Sequence, residues 1–235
     1  MEQKVNPLKK SKFLGTTIIG KGNFLSLNEK QYEITNEKGE KKISKWECVD
    51  YNHILDNDMK NIKKPTVVSI IPIIKETKEI ILINNFRYPI DKFCLEFPGG
   101  IIDKNDGEDI LIATKKAAER ELLEETGYTG KFKCFLGNTK LSEERQLKIC
   151  SNTFYDPWKS KDNAVQCICE IEDDQNLNQN LDECEIIKVY KVKLNNLFDF
   201  IIDKIEKENC CVSIELYSFT CGLYLSQTIN NELFN

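Results

Sequence analysis

From Phe13 to Val49 the pattern of apolar and polar positions is that of short strands, TTIIGKGNFLSLNEKQYEIT and KKISKWECVDY, around the turn Asn36-Glu37-Lys38-Gly39. The chemistry of that turn predicts a hairpin-rich N-terminal antiparallel β subdomain over 13–64, after a polar, lysine-rich, disordered tail over 1–12. The polar stretch DNDMKNIKKP ends at Pro65 and reads as a linker to a second domain over 65–235. There the pattern changes to unbroken apolar runs, TVVSIIPII (Thr66–Ile74) and EIILI (Glu79–Ile83), joined by the turn KETK. Such runs suit strands covered on both faces. A third short strand, FCLEF, leads into Pro98-Gly99-Gly100.

Helix formers dominate residues 109–126, DILIATKKAAERELLEET, and Gly127 follows where a helix can end in a left-handed cap. Further strands are expected at 164–171 (AVQCICEI) and 185–192 (EIIKVYKV), with the polar loop DDQNLNQNLDE between them. Two helices, near 194–208 and 213–229, close the chain, the second capped by Ser213. Strands separated by single helices and long loops imply α+β or α/β with a mixed sheet.

Charge and composition narrow the chemistry. The net charge of −5 supplies no positive field for a phosphate backbone, so a nucleic-acid binder is disfavoured. With one histidine, His53, a His-His zinc site within one chain is impossible, and a Ser-His-Asp or Cys-His centre would need that residue. Lysine is the default cation, which marks Arg87, Arg120 and Arg145 as candidates for planar, bidentate contacts. Arg145, in LSEERQLK, has a surface ion pair as its default role. The N-terminus lacks the apolar core of a secretion signal and no run is long enough to span a membrane, so a soluble, cytoplasmic protein with reduced thiols is expected, with no membrane partner. Cys167 and Cys169 alternate on one strand and read as core thiols.

On the 109–126 helix, Glu121, Glu124 and Glu125 stand at i, i+3 and i+4 and project from one side near its negative end. Like charges so placed cost stability unless a cation neutralises them. The stretch from Arg120 to Tyr128, RELLEETGY, fills every fixed position of the second half of the Nudix box and resembles the Nudix hydrolases. Leu95-Glu96-Phe97-Pro98-Gly99-Gly100 and Asn85-Phe86-Arg87-Tyr88-Pro89 are similar to motifs of the ADP-ribose and ADP-sugar pyrophosphatase branch, and the likeness runs from about Gly20 to about Gln227. The first half of the box departs from the family spacing. Seven residues separate Gly100 from Glu108, eleven separate Glu108 from Arg120, and Ile112 stands where strict counting would place a glutamate. Glu108 is then the best candidate for the structural glutamate that pairs with Arg120.

The resemblance implies an α+β fold, a Nudix α/β/α sandwich with a mixed sheet plus the N-terminal antiparallel β subdomain. It implies cleavage of the pyrophosphate of ADP-ribose or a related ADP-sugar to AMP and a sugar phosphate, dependent on Mg²⁺ or Mn²⁺. By the same resemblance the metal ligands are the Gly99 carbonyl, Glu121 and Glu125, with Glu124 as a further ligand or catalytic support. Arg87 clamps a phosphate, Glu96 also binds substrate, and a loop glutamate acts as general base, Glu185 by its register and Glu183 second. Asp156 opens a substrate loop in which Trp158 and Lys159 replace the usual glycine-containing middle. Phe24 and Trp46 sandwich the adenine across a homodimer built on the N-terminal subdomain, and Glu47 bonds the base edge. A Nudix pyrophosphatase for another nucleoside diphosphate derivative (a UDP-sugar, an oxidised nucleoside diphosphate, a dinucleotide) and a non-catalytic nucleotide-sugar-binding protein are the other readings.

Overall fold

A computed structural model of the chain describes residues 10–52, 65–171 and 178–232, with side chains to residue 226. The expected tail up to residue 9, His53, most of the 56–65 linker and the start of the polar loop at 173–183 lie outside the described residues. Two compact units are formed: the N-terminal sheet with Phe154–Asn163, and Lys63–Thr153 with Ala164–Asn235.

In the first unit β1 (Lys10–Lys21), β2 (Leu25–Thr35) and β3 (Lys41–Tyr51) form an antiparallel meander in that order. The strand β1 begins at Lys10, so residues 10–12 belong to the sheet and not to a tail. The β2–β3 turn forms where the sequence places it: Gly39 takes a φ of +80°, and the Asn36 side chain accepts from the Lys38 and Glu40 amides at 3.0 and 2.9 Å. The segment Phe154–Asn163, expected within the second domain, joins this unit. Ser160 bridges Val49 in parallel, and the Val49 amide donates to the Lys159 carbonyl at 3.0 Å. Beneath it Asp50 is 3% exposed; it accepts from Asn28 at 3.2 Å and pairs with Lys30 and Lys161 at 3.4 and 3.9 Å.

The second unit carries an eight-stranded mixed sheet. Its strands are β4 (Val67–Ile74), β5 (Glu79–Arg87), β6 (Lys92–Glu96), β7 (Gly99–Ile101), β8 (Gly130–Phe135), β9 (Ala164–Ile171), β10 (Ile187–Lys193) and β11 (Cys211–Val212). The main path runs β11-β6-β5-β4-β9-β8, while β10 pairs with β5 and β7 with β4. Among the described residues of this sheet, only β4–β9 and β6–β11 are parallel pairs. The apolar runs are explained by burial on both faces. Val68, Ile70 and Ile81 pack toward Ala117, Ala118 and Leu122 of α1 (Ile110–Thr126) and Leu147 of α2 (Glu143–Cys150). Ile71, Ile80 and Leu82 pack toward Leu197 and Ile201 of α3 (Leu197–Glu208) and Leu216 of α4 (Ile214–Glu232). Alternation of side chains across the sheet makes this an α/β/α sandwich.

Local chemistry sets α1. The Asp109 side chain accepts from the Ile112 amide at 3.0 Å, and Gly127, at φ +76°, donates to the Leu123 carbonyl at 2.8 Å. The helix α4 starts as expected, with Ser213 accepting from the Leu216 amide. Two elements escape the sequence pattern. A bulge between Phe132 and Cys134 breaks the alternation of β8, and α2 is short and polar, burying only Gln146, Leu147 and Cys150. Arg145 is exposed on α2. Cys167 and Cys169 are fully buried in the core, and all ten cysteines are free thiols. Among the described residues no helix is long and apolar enough to cross a membrane.

Candidate active site

The helix α1 delivers Arg120, Glu121, Glu124 and Glu125 to the place where the chain leaves β6 and runs through Pro98-Gly99-Gly100. The Gly99 amide donates to Glu125 Oε2 at 2.7 Å. A Cβ on Gly100 would lie 2.4 Å from the Glu121 carboxyl carbon, and one on Gly99 would lie 2.2 Å from the Val68 carbonyl oxygen. Bare backbone is therefore required at Gly99, which meets the backbone of β4, whereas at Gly100 a side chain would displace the Glu121 carboxylate.

Glu125 is 3% exposed, and burial pushes its carboxyl up to about 8. The Gly99 hydrogen bond opposes the rise, the charges of Glu121 and Glu185 add to it, and Arg87 opposes it weakly. Glu121 is also raised, first by burial, against the pull of Arg120 and with the push of Glu124 and Glu185. Burying several carboxylates together is costly. The donor set, carboxylate and carbonyl oxygens without nitrogen or sulfur, is that of a hard divalent cation, and the raised carboxyls are the condition such a cation relieves. Among the described residues no three acidic, cysteine or histidine side chains converge on one point as they stand, since Glu121 is turned to Arg120 and Glu125 to the Gly99 amide. The residues suit the ion by the chemistry of their oxygen donors.

Arg120 overturns one expectation. Its partner across the loop is Asp106, not Glu108: Nε donates to Asp106 Oδ1 and Nη2 to Oδ2, each at 3.1 Å. Nη1 bonds Glu121 at 2.7 Å and Glu124 at 2.9 Å, and Nη2 also reaches the Ile101 carbonyl at 3.0 Å. Glu108 is exposed. The reason is a short 3-10 turn, Lys104–Asp106, closed by a capping box in which Asp106 accepts from the Asp103 amide at 2.8 Å. That turn takes up the extra residues of the loop and points the shorter aspartate inward, 5% exposed. The Asp-x-x-Asp spacing of 103 and 106 is the sequence signal for it. Asp106→Ala should cost ~2–3 kcal/mol by leaving the Arg120 Nε–H and the Asp103 amide without their acceptor, whereas Glu108→Ala should change stability by under ~0.5 kcal/mol. Thermal melts of the two variants check this; a reversed order would return the pairing to Glu108.

Arg87 and Glu96 end the paired strands β5 and β6. Arg87 Nε donates to both Glu96 oxygens at 3.0 and 3.1 Å, and Nη2 to Oε2 at 2.5 Å. This fixes the guanidinium plane, with the Arg87 side chain 48% exposed. Of the two candidate bases, Glu185 is partly buried and its charge acts on both Glu121 and Glu125, while Glu183 is exposed and is not among the main charges on either. The Glu185 carboxylate accepts from the Asp182 amide at 2.9 Å, and its own amide donates to the Asp182 carbonyl at 2.9 Å.

The remaining candidates lie in the N-terminal unit. Phe24 is 78% exposed at the β1–β2 turn. Trp46 is half-exposed, and its indole N–H donates to the Trp158 carbonyl at 2.7 Å. Trp46 stands opposite Lys30 in the ladder and Glu47 opposite Glu29, so strand alternation sends the two neighbours to opposite faces. Asp156 pairs with Lys159 at 3.0 Å. A cavity of about 350 Å³ within this unit is lined by Lys30, Tyr32, Trp46, Phe154, Lys159 and Lys161, among others.

Residues 63–206 match the family described as NUDIX domain. An uncharacterized Nudix hydrolase of Schizosaccharomyces pombe is 28% identical over 193 residues, covering 80% of this chain and 81% of that protein. The ADP-ribose pyrophosphatase of Saccharomyces cerevisiae is 29% identical over 155 residues, covering 63% of this chain and 57% of that protein. An ADP-sugar pyrophosphatase of Mus musculus is 45% identical over 71 residues, 29% of this chain and 30% of that protein. The crystal structure of an ADP compounds hydrolase superposes with a TM-score of 0.52 at 17% identity, covering 95% of this chain and 98% of that one, and at that identity it speaks for the fold.

Proposed function

This chain belongs to the NUDIX domain family, and we propose that it hydrolyses the pyrophosphate bond of ADP-ribose or a related ADP-sugar, releasing AMP and a sugar phosphate, with Mg²⁺ or Mn²⁺ as its cofactor. The observation that carries the reading is the buried Glu125 bonded to the Gly99 amide on the helix that also carries Glu121, with the charges of Glu185 and of Arg87, itself paired with Glu96, acting on it. ADP-ribose and ADP-sugar pyrophosphatases among the relatives support this substrate class.

In this reading the Gly99 carbonyl, Glu121 and Glu125 hold the cation, with Glu124 in support. When bound, the ion neutralises pyrophosphate charge and lowers the pKa of a water. Glu185 takes the proton of the attacking water at its carboxylate. Arg87, held flat by Glu96, offers its guanidinium to a phosphate. Arg120 and Asp106 hold the acidic helix against the loop that follows Gly100–Ile101. Phe24 and Trp46 stack the adenine in a homodimer built on the N-terminal sheet, and Asp156 orders the Trp158-Lys159 loop at the substrate; the Glu47 side chain, turned to the other face of β3, is left out of the face that carries Trp46. Trp46, its ring fixed by the Trp158 carbonyl, offers a flat face for such stacking. We place the reaction in the cytoplasm, in keeping with the ten free thiols.

Purified protein incubated with ADP-ribose and Mg²⁺ is expected to release AMP and ribose 5-phosphate in equal amounts, read by chromatography. A folded protein that forms no AMP from ADP-ribose or from other ADP-sugars would rule the reading out.

A further inference from the structure

The C-terminal end of α1 leaves carbonyls without helical partners, and two of them belong to the acidic residues themselves. The Gln179 side chain donates to the Glu125 carbonyl at 2.5 Å, and the Asn180 amide donates to the Glu124 carbonyl at 2.9 Å. Further along the same segment the Tyr88 hydroxyl donates to the Cys184 carbonyl at 3.1 Å, and the Phe86 amide to the Ile186 carbonyl at 3.1 Å. The stretch from Gln179 to Ile186 is thus fastened at one end to α1 and at the other to the end of β5. Glu185 lies in it, inside the turn closed on Asp182.

The charge of Glu185 acts on Glu121 and Glu125, and the C-terminal end of a helix carries partial negative charge. A segment that carries a carboxylate is not drawn to such a place by its own charge. The Gln179 amide and the Asn180 N–H are neutral donors aimed at the same negative carbonyls, and they hold the segment where its charge alone would not. We infer that Gln179 is a positioning residue for the reaction: with the Asn180 amide it ties the segment carrying Glu185 to the last turn of the acidic helix, and so sets where the base carboxylate stands. The inference rests on the reading of Glu185 as the base. A lysine at 179 keeps a donor for the carbonyl and adds favourable charge at the helix end; alanine removes the donor, and glutamate reverses it.

Two measurements test this separately. Hydrogen exchange needs no turnover: in Gln179→Ala the Asn180 amide should exchange at least ~10-fold faster than in the parent, while amides within β4 and β9 stay unchanged. Unchanged exchange at Asn180 overturns the fastening, whatever the activity. In kinetics with ADP-ribose, Gln179→Ala should lower kcat ~10-fold with KM within about twofold, and Gln179→Lys should restore most of the loss. In a Glu185→Gln background the same alanine should cost under about twofold, because Gln179 acts through Glu185. A full tenfold further loss in that background overturns the positioning role. A parent protein inactive on ADP-ribose and on other ADP-sugars would instead refute the proposed function, and the coupling to Glu185 with it.

Discussion

Glu125→Gln is expected to lower turnover of ADP-ribose by ~10³-fold while leaving the metal-free protein as stable as the parent or more so. The two effects separate because the site asks opposite things of this side chain. As an anion it would hold the proposed cation; without one it is a carboxyl almost fully enclosed and raised to about 8 by burial, with Glu121 and Glu185 pushing the same way. Glutamine keeps the volume and an oxygen to accept from the Gly99 amide, and cannot ionise. The dependence on pH follows from the same shift. The folded carboxyl titrates near 8 and an ordinary glutamate near 4.5, so between those limits the folded protein holds a proton that the unfolded chain has released. Stability from this group is therefore fullest at low pH and falls as pH rises through that window. Melts in a chelator should show Tm decreasing by several degrees from pH 5 to pH 8 in the parent, and by less in Glu125→Gln. Equal slopes in the two proteins would remove the burial argument, and unchanged turnover would remove Glu125 from the site. For the same reason cation affinity should rise with pH over this range, since binding must displace the proton.

The second large effect is expected at Glu185. Replacing it with glutamine should lower kcat ~10²-fold, the scale of a lost general base, with KM and the Mg²⁺ concentration for half-activation within about threefold. Glu183→Gln should retain at least half of the parent rate. The difference follows from position: Glu185 is partly buried, hydrogen-bonded within its turn and within electrostatic reach of both Glu121 and Glu125, and Glu183 is exposed. Single-turnover measurement with both variants decides it. If Glu183→Gln carries the loss, the base is Glu183 and the register argument from the following strand is wrong.

The acidic helix is legible in the amino-acid sequence because everything that makes it is local. Asp109 caps it, small residues stripe one face, Gly127 ends it, and the spacing of Glu121, Glu124 and Glu125 follows from helical geometry. The apolar runs of β4 and β5 are legible for a similar reason: a strand buried on both faces has no polar alternation to hide it. Elements whose period is interrupted, as in β8, or whose length is too short for a pattern, as in α2, do not show in this way.

Local pattern and spacing are thus enough for the fold class, the family motifs and the set of carboxylates available to the site. Which of several acidic neighbours does what depends on the folded chain. Asp106 and Glu108 differ by two positions, and a capped 3-10 turn points the first inward and leaves the second in solvent. Glu183 and Glu185 differ by two as well, and the turn on Asp182 together with the fastening through Gln179 brings one of them to the helix. Trp46 and Glu47 are adjacent and face opposite ways, while Ser160 returns from far along the chain to lie beside Val49. In each case the deciding fact is the direction of a side chain or the closure of a long loop. Composition and period record which residues are present and how often they recur; direction is set by turns, registers and contacts between segments distant in sequence.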